Sequence, residues 1–241
     1  MRLSIVIPVW NNWNFTKACL KDLAALPEDH EVVLVDNGST DKTKELSTYP
    51  RDIDDSEFHQ NLVVERFKEN TGFAHACNHG FAKSLGKYVM FLNNDIRVRD
   101  QKDCWTEAIL KEAEEGGLVG PTAGMLDSKF NFVCESMKLP TRGFPYISGW
   151  NLTAKRQVLI DLQLKEYRGP FTEEFTTYFE DTDLSLRARE MNIPLKVVSS
   201  VPVHHFGKVT SKKLDTLKLY LPAKEKFIEK WKTRANDLLL K

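Results

Sequence analysis

Four short clusters carry residue types from which chemistry on a phosphate-bearing substrate could be built. The first is Asp36 in Val35-Asp36-Asn37-Gly38-Ser39-Thr40-Asp41. A carboxylate just past a buried strand can accept a hydrogen bond from a nucleobase imide or a ribose hydroxyl, and Gly38 lets the backbone turn tightly around such a ligand. The same Asn, Gly, Ser and Thr residues also make a turn and helix cap unaided. The second is Asn93-Asn94-Asp95. Mg²⁺ and Mn²⁺ prefer carboxylate and phosphate oxygens, so Asp95 is the first candidate to hold such an ion together with a diphosphate; it could equally cap the segment 96–100. The third is Phe179-Glu180-Asp181-Thr182-Asp183-Leu184. Acidic residues in a first helical turn are ordinary dipole partners, yet attack by a hydroxyl needs one positioned base, and a carboxylate at a helix terminus can be that base. The fourth is Val203-His204-His205-Phe206-Gly207. A neutral imidazole can complete a metal shell, and neighbours on an extended segment face opposite ways, so one of the two histidines at most reaches the ion. Asn70-Thr71-Gly72-Phe73-Ala74 then opens a helix with small early residues, Ala74, Ala76, Asn78 and Gly80, suited to close approach of a ligand or to packing on a sheet.

The elements around these clusters explain their position. Leu3 to Val9 is an apolar, β-branched run of the kind buried in parallel sheets. Helical spacing follows from Asn14 to Leu26, closed by Pro27, and Glu31 to Val35 supplies a second buried strand ending at Asp36. This strand, helix, strand order is a βαβ unit. A polar stretch from Thr48 to Asn61 reads as a surface excursion before a short strand at Leu62 to Phe67. Gly72 to Leu85 has helical spacing, and the strand Tyr88 to Leu92 runs directly into Asn93-Asn94-Asp95. Ligands in open α/β sheets gather at strand carboxyl ends, where both Asp36 and Asp95 fall. Further on, the pattern predicts a short strand at Asn131 to Met137, a turn at Leu139 to Pro145, a helix from Asp181 to Glu190 and a strand at Lys196 to Ser200. Beyond Ser211, Leu214, Leu217, Leu221, Phe227, Ile228, Trp231 and Leu238 alternate with charge in an amphipathic tail broken at Pro222.

Composition narrows the function classes. At 241 residues, one large α/β domain is the default. Lys+Arg and Asp+Glu are equal at 34 each, which leaves no basic footprint for nucleic acid. Four scattered cysteines form no C-x-x-C pair and are expected reduced and buried. The opening MRLSIVIPVW is expected to be a strand rather than a secretory leader. No run approaches the roughly eighteen apolar residues of a spanning helix, so any membrane contact would be peripheral and a cytoplasmic location, including the inner membrane face, is expected. The tail could dock on the domain, on a second copy as a homo-oligomer, or on an anionic membrane face. Glu225 and Glu229 dilute its positive charge and favour the domain.

The chain resembles the family 2 glycosyltransferases, which have the Rossmann-like A-type glycosyltransferase fold. The matching pieces are Ser4 to Asn11, Val35 to Asp41, Asn70 to Ala74 with Asn78 and Gly80, Phe91 to Asp95, and Phe179 to Leu184, in the family's order. The resemblance implies a glycosyltransferase domain over 1–211, with 1–100 as the nucleotide-sugar half and 101–211 as the acceptor half, followed by a helical tail over 212–241. It implies that Pro8, Val9 and Asn11 line the nucleoside pocket, with Asn70, Gly72, Asn78 and Asn94 contributing to the donor site, and that Asp36 contacts the base, most often uracil. Asp95 would hold Mn²⁺ or Mg²⁺ at the family's D-x-D position, whose first acid is here Asn93. His204 resembles the histidine that closes the shell, with His205 its rival. Asp181 of the Glu180-Asp181 pair would be the base, and Gly149 and Trp150 would belong to an acceptor-side wall. The implied reaction is an inverting transfer from a nucleoside diphosphate sugar, preferably a UDP-sugar, to a hydroxyl of a glycan or glycoconjugate. A dTDP-sugar, rhamnosyl-type transferase and a non-catalytic carbohydrate- or nucleotide-binding module are the alternatives. A dehydrogenase fails because Pro8-Val9-Trp10-Asn11-Asn12 stands where G-x-G-x-x-G is required. A sugar nucleotidyltransferase fails for want of a Gly-rich basic loop after the first strand.

Overall fold

The computed structural model describes residues 2–26, 29–48, 61–99, 104–207 and 216–240. In chain order the strands are β1 (Leu3–Val9), β2 (His30–Asp36), β3 (Leu62–Arg66), β4 (Tyr88–Leu92), β5 (Ile96–Val98), β6 (Leu118–Gly120), β7 (Ala123–Leu126), β8 (Phe132–Ser136), β9 (Phe144–Ile147), β10 (Asn151–Lys155), β11 (Leu195–Val197) and β12 (Val203–His205). The α-helices are α1 (Trp13–Ala24), α2 (Phe73–Lys83), α3 (Trp105–Ala113), α4 (Arg156–Asp161), α5 (Glu180–Glu190) and α6 (Thr216–Trp231).

The apolar runs at β1, β2 and β4 lie side by side because both faces of their sheet are covered. On one face Leu3, Ile5, Ile7 and Val9 pack with Cys19, Leu20 and Leu23 of α1 and Trp105 and Ile109 of α3. On the other, Val6, Val33 and Val35 meet Ala74, Cys77 and Phe81 of α2, with Val158 of α4 and Leu184 of α5 further along. The sheet runs β11-β6-β10-β4-β1-β2-β3. β1 pairs in parallel with β2 and β4, and β2 with β3, whereas β10 enters antiparallel between β4 and β6. It is a single α/β domain with a mixed central sheet, flanking helices and a C-terminal helical region, as the sequence predicted. A three-stranded sheet, β8-β7-β9, and the pair β12-β5 complete it.

Several boundaries differ from expectation. α2 starts at Phe73 because Gly72 sits at φ 94 outside the helix, and it ends at Lys83, leaving Leu85 75% exposed. Phe144 and Pro145, expected in a turn, begin β9. The amphipathic tail is not broken at Pro222: α6 continues through it to Trp231. Proline there removes one intrahelical hydrogen bond, but Ala223, Phe227 and Trp231 are buried in a third cluster with Phe130, Phe144, Phe175 and Phe179, which holds the helix in place. The tail's apolar face thus docks on its own domain. All four cysteines are free, but only Cys19 and Cys77 are buried; Cys104 and Cys134 are half-buried. Pro27, the interior of the 48–61 excursion, Ser211 and Leu214 lie outside the described residues. No helix among the described residues is long and apolar enough to cross a membrane.

Candidate active site

The carboxyl ends of β1, β2 and β3 meet in a hydrogen-bonded rim. Asn11, at φ 59, closes β1; its Oδ1 accepts from the Thr40 and Asp41 amides at 2.8 and 3.2 Å, and its own amide donates to Ser39 Oγ at 2.7 Å. Asp36 is fully buried. Its Oδ1 accepts from the Ser39 amide at 2.8 Å, and its Oδ2 pairs with the guanidinium of Arg66 across the β2–β3 register. The carboxylate therefore faces inward, and the group with an open side at this position is Arg66, which also donates to the Ser39 carbonyl at 2.8 Å. Sequence reasoning missed Arg66; its signal was a cation closing the strand adjacent to β2.

Among the other anticipated contacts, Val9, Asn78 and Asn94 face the interior. Val9 is 2% exposed in the core beneath the rim, while Pro8 is half-buried above it. Asn78 is buried in α2, where its amide donates to the Phe171 carbonyl at 2.8 Å and to Glu173 at 2.9 Å and its Oδ1 accepts from the Phe171 amide at 2.9 Å. Every group of its side chain thus clamps the loop before α5. Asn94 turns into the protein and donates to Thr16 Oγ1 of α1 at 2.8 Å. Asn70 remains exposed, its Oδ1 accepting from the Gly72 amide and from Asn37 Nδ2, each at 3.0 Å. Gly72 accommodates a positive φ and packs against Thr176, where a Cβ would lie 2.7 Å from the Thr176 carbonyl oxygen.

Asp95 stands between β4 and β5, and α1 fixes both sides of it. Asn94 is tied to Thr16, and Asp22 accepts from the Val98 amide at 2.9 Å and from Arg97 Nε at 2.8 Å. β12 pairs antiparallel with β5, so its successive side chains alternate in direction. His205 faces Asp95, with Nε2 3.2 Å from Oδ1 and 3.4 Å from the Asn93 amide. Its ring stacks on Trp150 at 4.8 Å and 12°. His204 faces the other way, where its Nδ1 accepts from Arg99 at 3.0 Å. The histidine beside the aspartate is therefore His205 and not His204. Two ligands at about 2.1 Å in neighbouring octahedral positions lie about 3 Å apart, so Asp95 and His205 fit one Mg²⁺ or Mn²⁺ ion. No group of three or more His, Cys, Asp or Glu among the described residues makes a metal cage. A pair suits an ion that takes its remaining ligands from phosphates and water.

Trp150 links this corner to the acidic pair. Its carbonyl accepts from the Asn93 amide at 2.8 Å, and the preceding residue, Gly149, donates its amide to Asp181 Oδ2 at 2.8 Å. A side chain at Gly149 would press on Asp181, with a Cβ 3.1 Å from its Cβ. The chain enters α5 through two non-glycine residues at positive φ, Tyr178 at 74° and Phe179 at 70°. Such conformations persist where surrounding packing enforces them. Asp181 Oδ1 accepts from the Thr182 amide at 2.6 Å and hydroxyl at 3.2 Å. Burial raises the pKa of both acids. Glu180 is lifted by desolvation and then by the Asp181 charge; in Asp181 desolvation is countered by the donors on Gly149 and Thr182. Glu180 Oε2 is buried and has no partner among the described residues. The third acid, Asp183, serves the fold. It accepts from Thr172, Arg187, Lys230 and Trp231, and although burial opposes its ionisation, the Arg187 and Lys230 charges hold its carboxyl below the usual range.

Fold and rim together define a Rossmann-like α/β protein whose polar residues gather at the carboxyl ends of parallel strands. The model of glycosyl transferase family 2 matches residues 4–132, just over half of the chain, and the protein belongs to that family. A protein of Rickettsia conorii described as an uncharacterised glycosyltransferase is 33% identical over 120 residues, which are 49% of this chain and 18% of that protein. The chain spans less than a fifth of the length of the curated relatives it matches first. Among solved structures, Staphylococcus aureus TarS 1-349 in complex with UDP-GlcNAc superposes with a TM-score of 0.58 at 21% identity, covering 84% of this chain and 57% of that one. The mannosyltransferase PcManGT of Pyrobaculum calidifontis, in complex with GDP-Man and Mn²⁺, gives 0.57 at 18% identity, covering 83% and 55%. These likenesses bear on the fold.

Proposed function

We propose that this chain transfers a sugar from a nucleoside diphosphate donor to a hydroxyl of a glycan or glycoconjugate, with inversion at the anomeric carbon. The observation that carries the reading is the continuous link from Asp95 and His205 through Trp150 and Gly149 to Asp181, which supports a role for the first two in holding an ion and for the last as base. Asp95 and His205 would hold Mn²⁺ or Mg²⁺, which when bound neutralises charge on the departing diphosphate. The rim at Asn11, Asn70 and Gly72 would receive the nucleoside. Asp36 acts there by orienting Arg66 rather than by touching the base itself. UDP is the preferred nucleotide, in keeping with the family resemblance and with the UDP-GlcNAc held by TarS.

Asp181 is the base. Fixed by three hydrogen-bond donors, it takes the acceptor proton as the hydroxyl attacks, since the free pKa of a sugar hydroxyl lies far above that of a carboxyl group. A single displacement then inverts the configuration. Burial and then the Asp181 charge push Glu180 up to about 8, with no donor on its buried Oε2 to oppose the rise, whereas the Gly149 and Thr182 donors counter the rise in Asp181. A donor-hydrolysis panel of UDP-, dTDP- and GDP-sugars, run with Mn²⁺ and with chelator, tests the reading. Metal-dependent hydrolysis, fastest with a UDP-sugar, is expected; hydrolysis of none of them would overturn it.

A further inference from the structure

The small sheet carries an arrangement beside the base that the displacement itself does not use. Gly124 of β7 lies opposite Glu135 of β8 on one side and Tyr146 of β9 on the other, and directly paired residues share a face. The Tyr146 ring leans across the space left by the missing side chain: a Cβ on Gly124 would collide with Cζ, Cε1 and the hydroxyl of Tyr146. On the same face, the Thr122 hydroxyl and Trp150 Nε1 both donate to Glu135 Oε1, at 2.6 and 3.1 Å. Glu135 Oε2 and the Tyr146 hydroxyl have no hydrogen-bond partner among the described residues. Yet Tyr146 lies within the electrostatic reach of Asp181, Glu135 and Glu180, which add to burial in holding its pKa up. β9 leads within two residues to Gly149, the donor to Asp181.

We propose that Gly124, Glu135 and Tyr146 form an acceptor subsite that grips a neutral polyhydroxylated unit, a sugar ring or an alditol, beside Asp181. The inference rests on the transferase reading and names the substrate class of its acceptor side. A phenol that can donate and a carboxylate oxygen that can accept match the alternating donor and acceptor roles of neighbouring hydroxyls. The Glu135 and Asp181 carboxylates repel a phosphate or carboxylate on the gripped unit, so charge selects a neutral one. Gly124 sets the shape, because any side chain there pushes the tyrosine ring out of the cradle.

Saturation-transfer NMR with methyl β-glucoside, N-acetylglucosamine and ribitol, with and without UDP and Mn²⁺, tests this. Glucose 6-phosphate is the charged counterpart, and UDP affinity is measured by calorimetry on the same samples. The wild type is expected to transfer saturation to at least one neutral probe and not to the phosphate. Tyr146→Phe and Glu135→Gln should each weaken that probe about fivefold, the effect of one hydrogen bond of about 1 kcal/mol. Gly124→Ala should weaken it further. No saturation transfer to any neutral probe, equal transfer to glucose 6-phosphate, or affinity unchanged in all three variants would overturn the subsite. Failure of the wild type to bind UDP would instead count against the donor reading, since the neutral probes are also scored without nucleotide.

Discussion

Asp181 and Glu180 are adjacent in sequence yet meet different surroundings: one oxygen pair receives amide and hydroxyl donors, while the other has a buried oxygen with none. Environments that push two carboxyl pKa values apart are how a site assigns its ionised and protonated members. Asp181→Asn should therefore lower turnover by roughly 10² to 10⁴ with little change in UDP affinity, and Glu180→Gln should be milder; steady-state kinetics with calorimetry reads both. Because the folded pKa of Asp181 is raised, the acid limb of the kcat profile should lie above the ordinary aspartate value of about 3.9. The stability consequence has the same origin. A carboxyl with a raised folded pKa favours the native state below its unfolded pKa, and that contribution is lost as pH rises through the folded value. At the other corner, His205→Ala should weaken Mn²⁺ binding by tenfold or more, roughly the loss of one ligand group, while His204→Ala should leave it within about twofold; a titration showing the reverse order would move the ligand. The sequence identified the four clusters but not the direction of their side chains. Alternation on an extended segment allows one histidine of the two, and only the pairing of β12 with β5 decides which. The inward direction of Asp36, Asn78 and Asn94 was hidden for a related reason. Polar residues near a strand end look alike in sequence whether they face a ligand or tie loops together.

The helices and strands act as props for these groups, and α6 is the plainest case. Asp183 anchors it through Trp231 Nε1 at 2.9 Å and Lys230 Nζ at 2.7 Å, and within α5 binds Arg187 Nε at 2.9 Å. Asp183→Asn leaves buried Arg187 and half-buried Lys230 without their counter-charge and should cost about 3 to 5 kcal/mol in denaturant unfolding. Since its pKa is lowered in the fold, Asp183 contributes stability above its unfolded pKa and loses it as pH falls through the folded value. Trp231 fluorescence should accordingly report undocking of α6 in acid, and a Trp231 environment unchanged across that range would contradict the anchor. The parallel strands were legible as continuous apolar runs between turn signals. β10 was not: Asn151-Leu152-Thr153-Ala154-Lys155 has little apolar character and becomes a central strand because β4 and β6 flank it. Pro222 misled for the converse reason, since local propensity predicts a break where burial of Phe227 and Trp231 outweighs it.

In the molecule as a whole, one sheet edge collects the rim from β1 to β3, the Asp95 corner and, through antiparallel β10, the loop that holds Asp181. The reversal of β10 puts Gly149 and Trp150 at the carboxyl end of β4, so the two halves of the sequence share a boundary. Composition and strand order made the fold class legible; the meeting of the two halves depended on pairings far apart in sequence. The central claim is that a single displacement, driven by Asp181, occurs at this boundary. The most direct measurement is the anomeric configuration of the sugar released from an α-linked UDP-sugar onto water, read by proton NMR before mutarotation. The account predicts that the β-anomer forms first and that Asp181→Asn suppresses its formation; initial release of the α-anomer would contradict it.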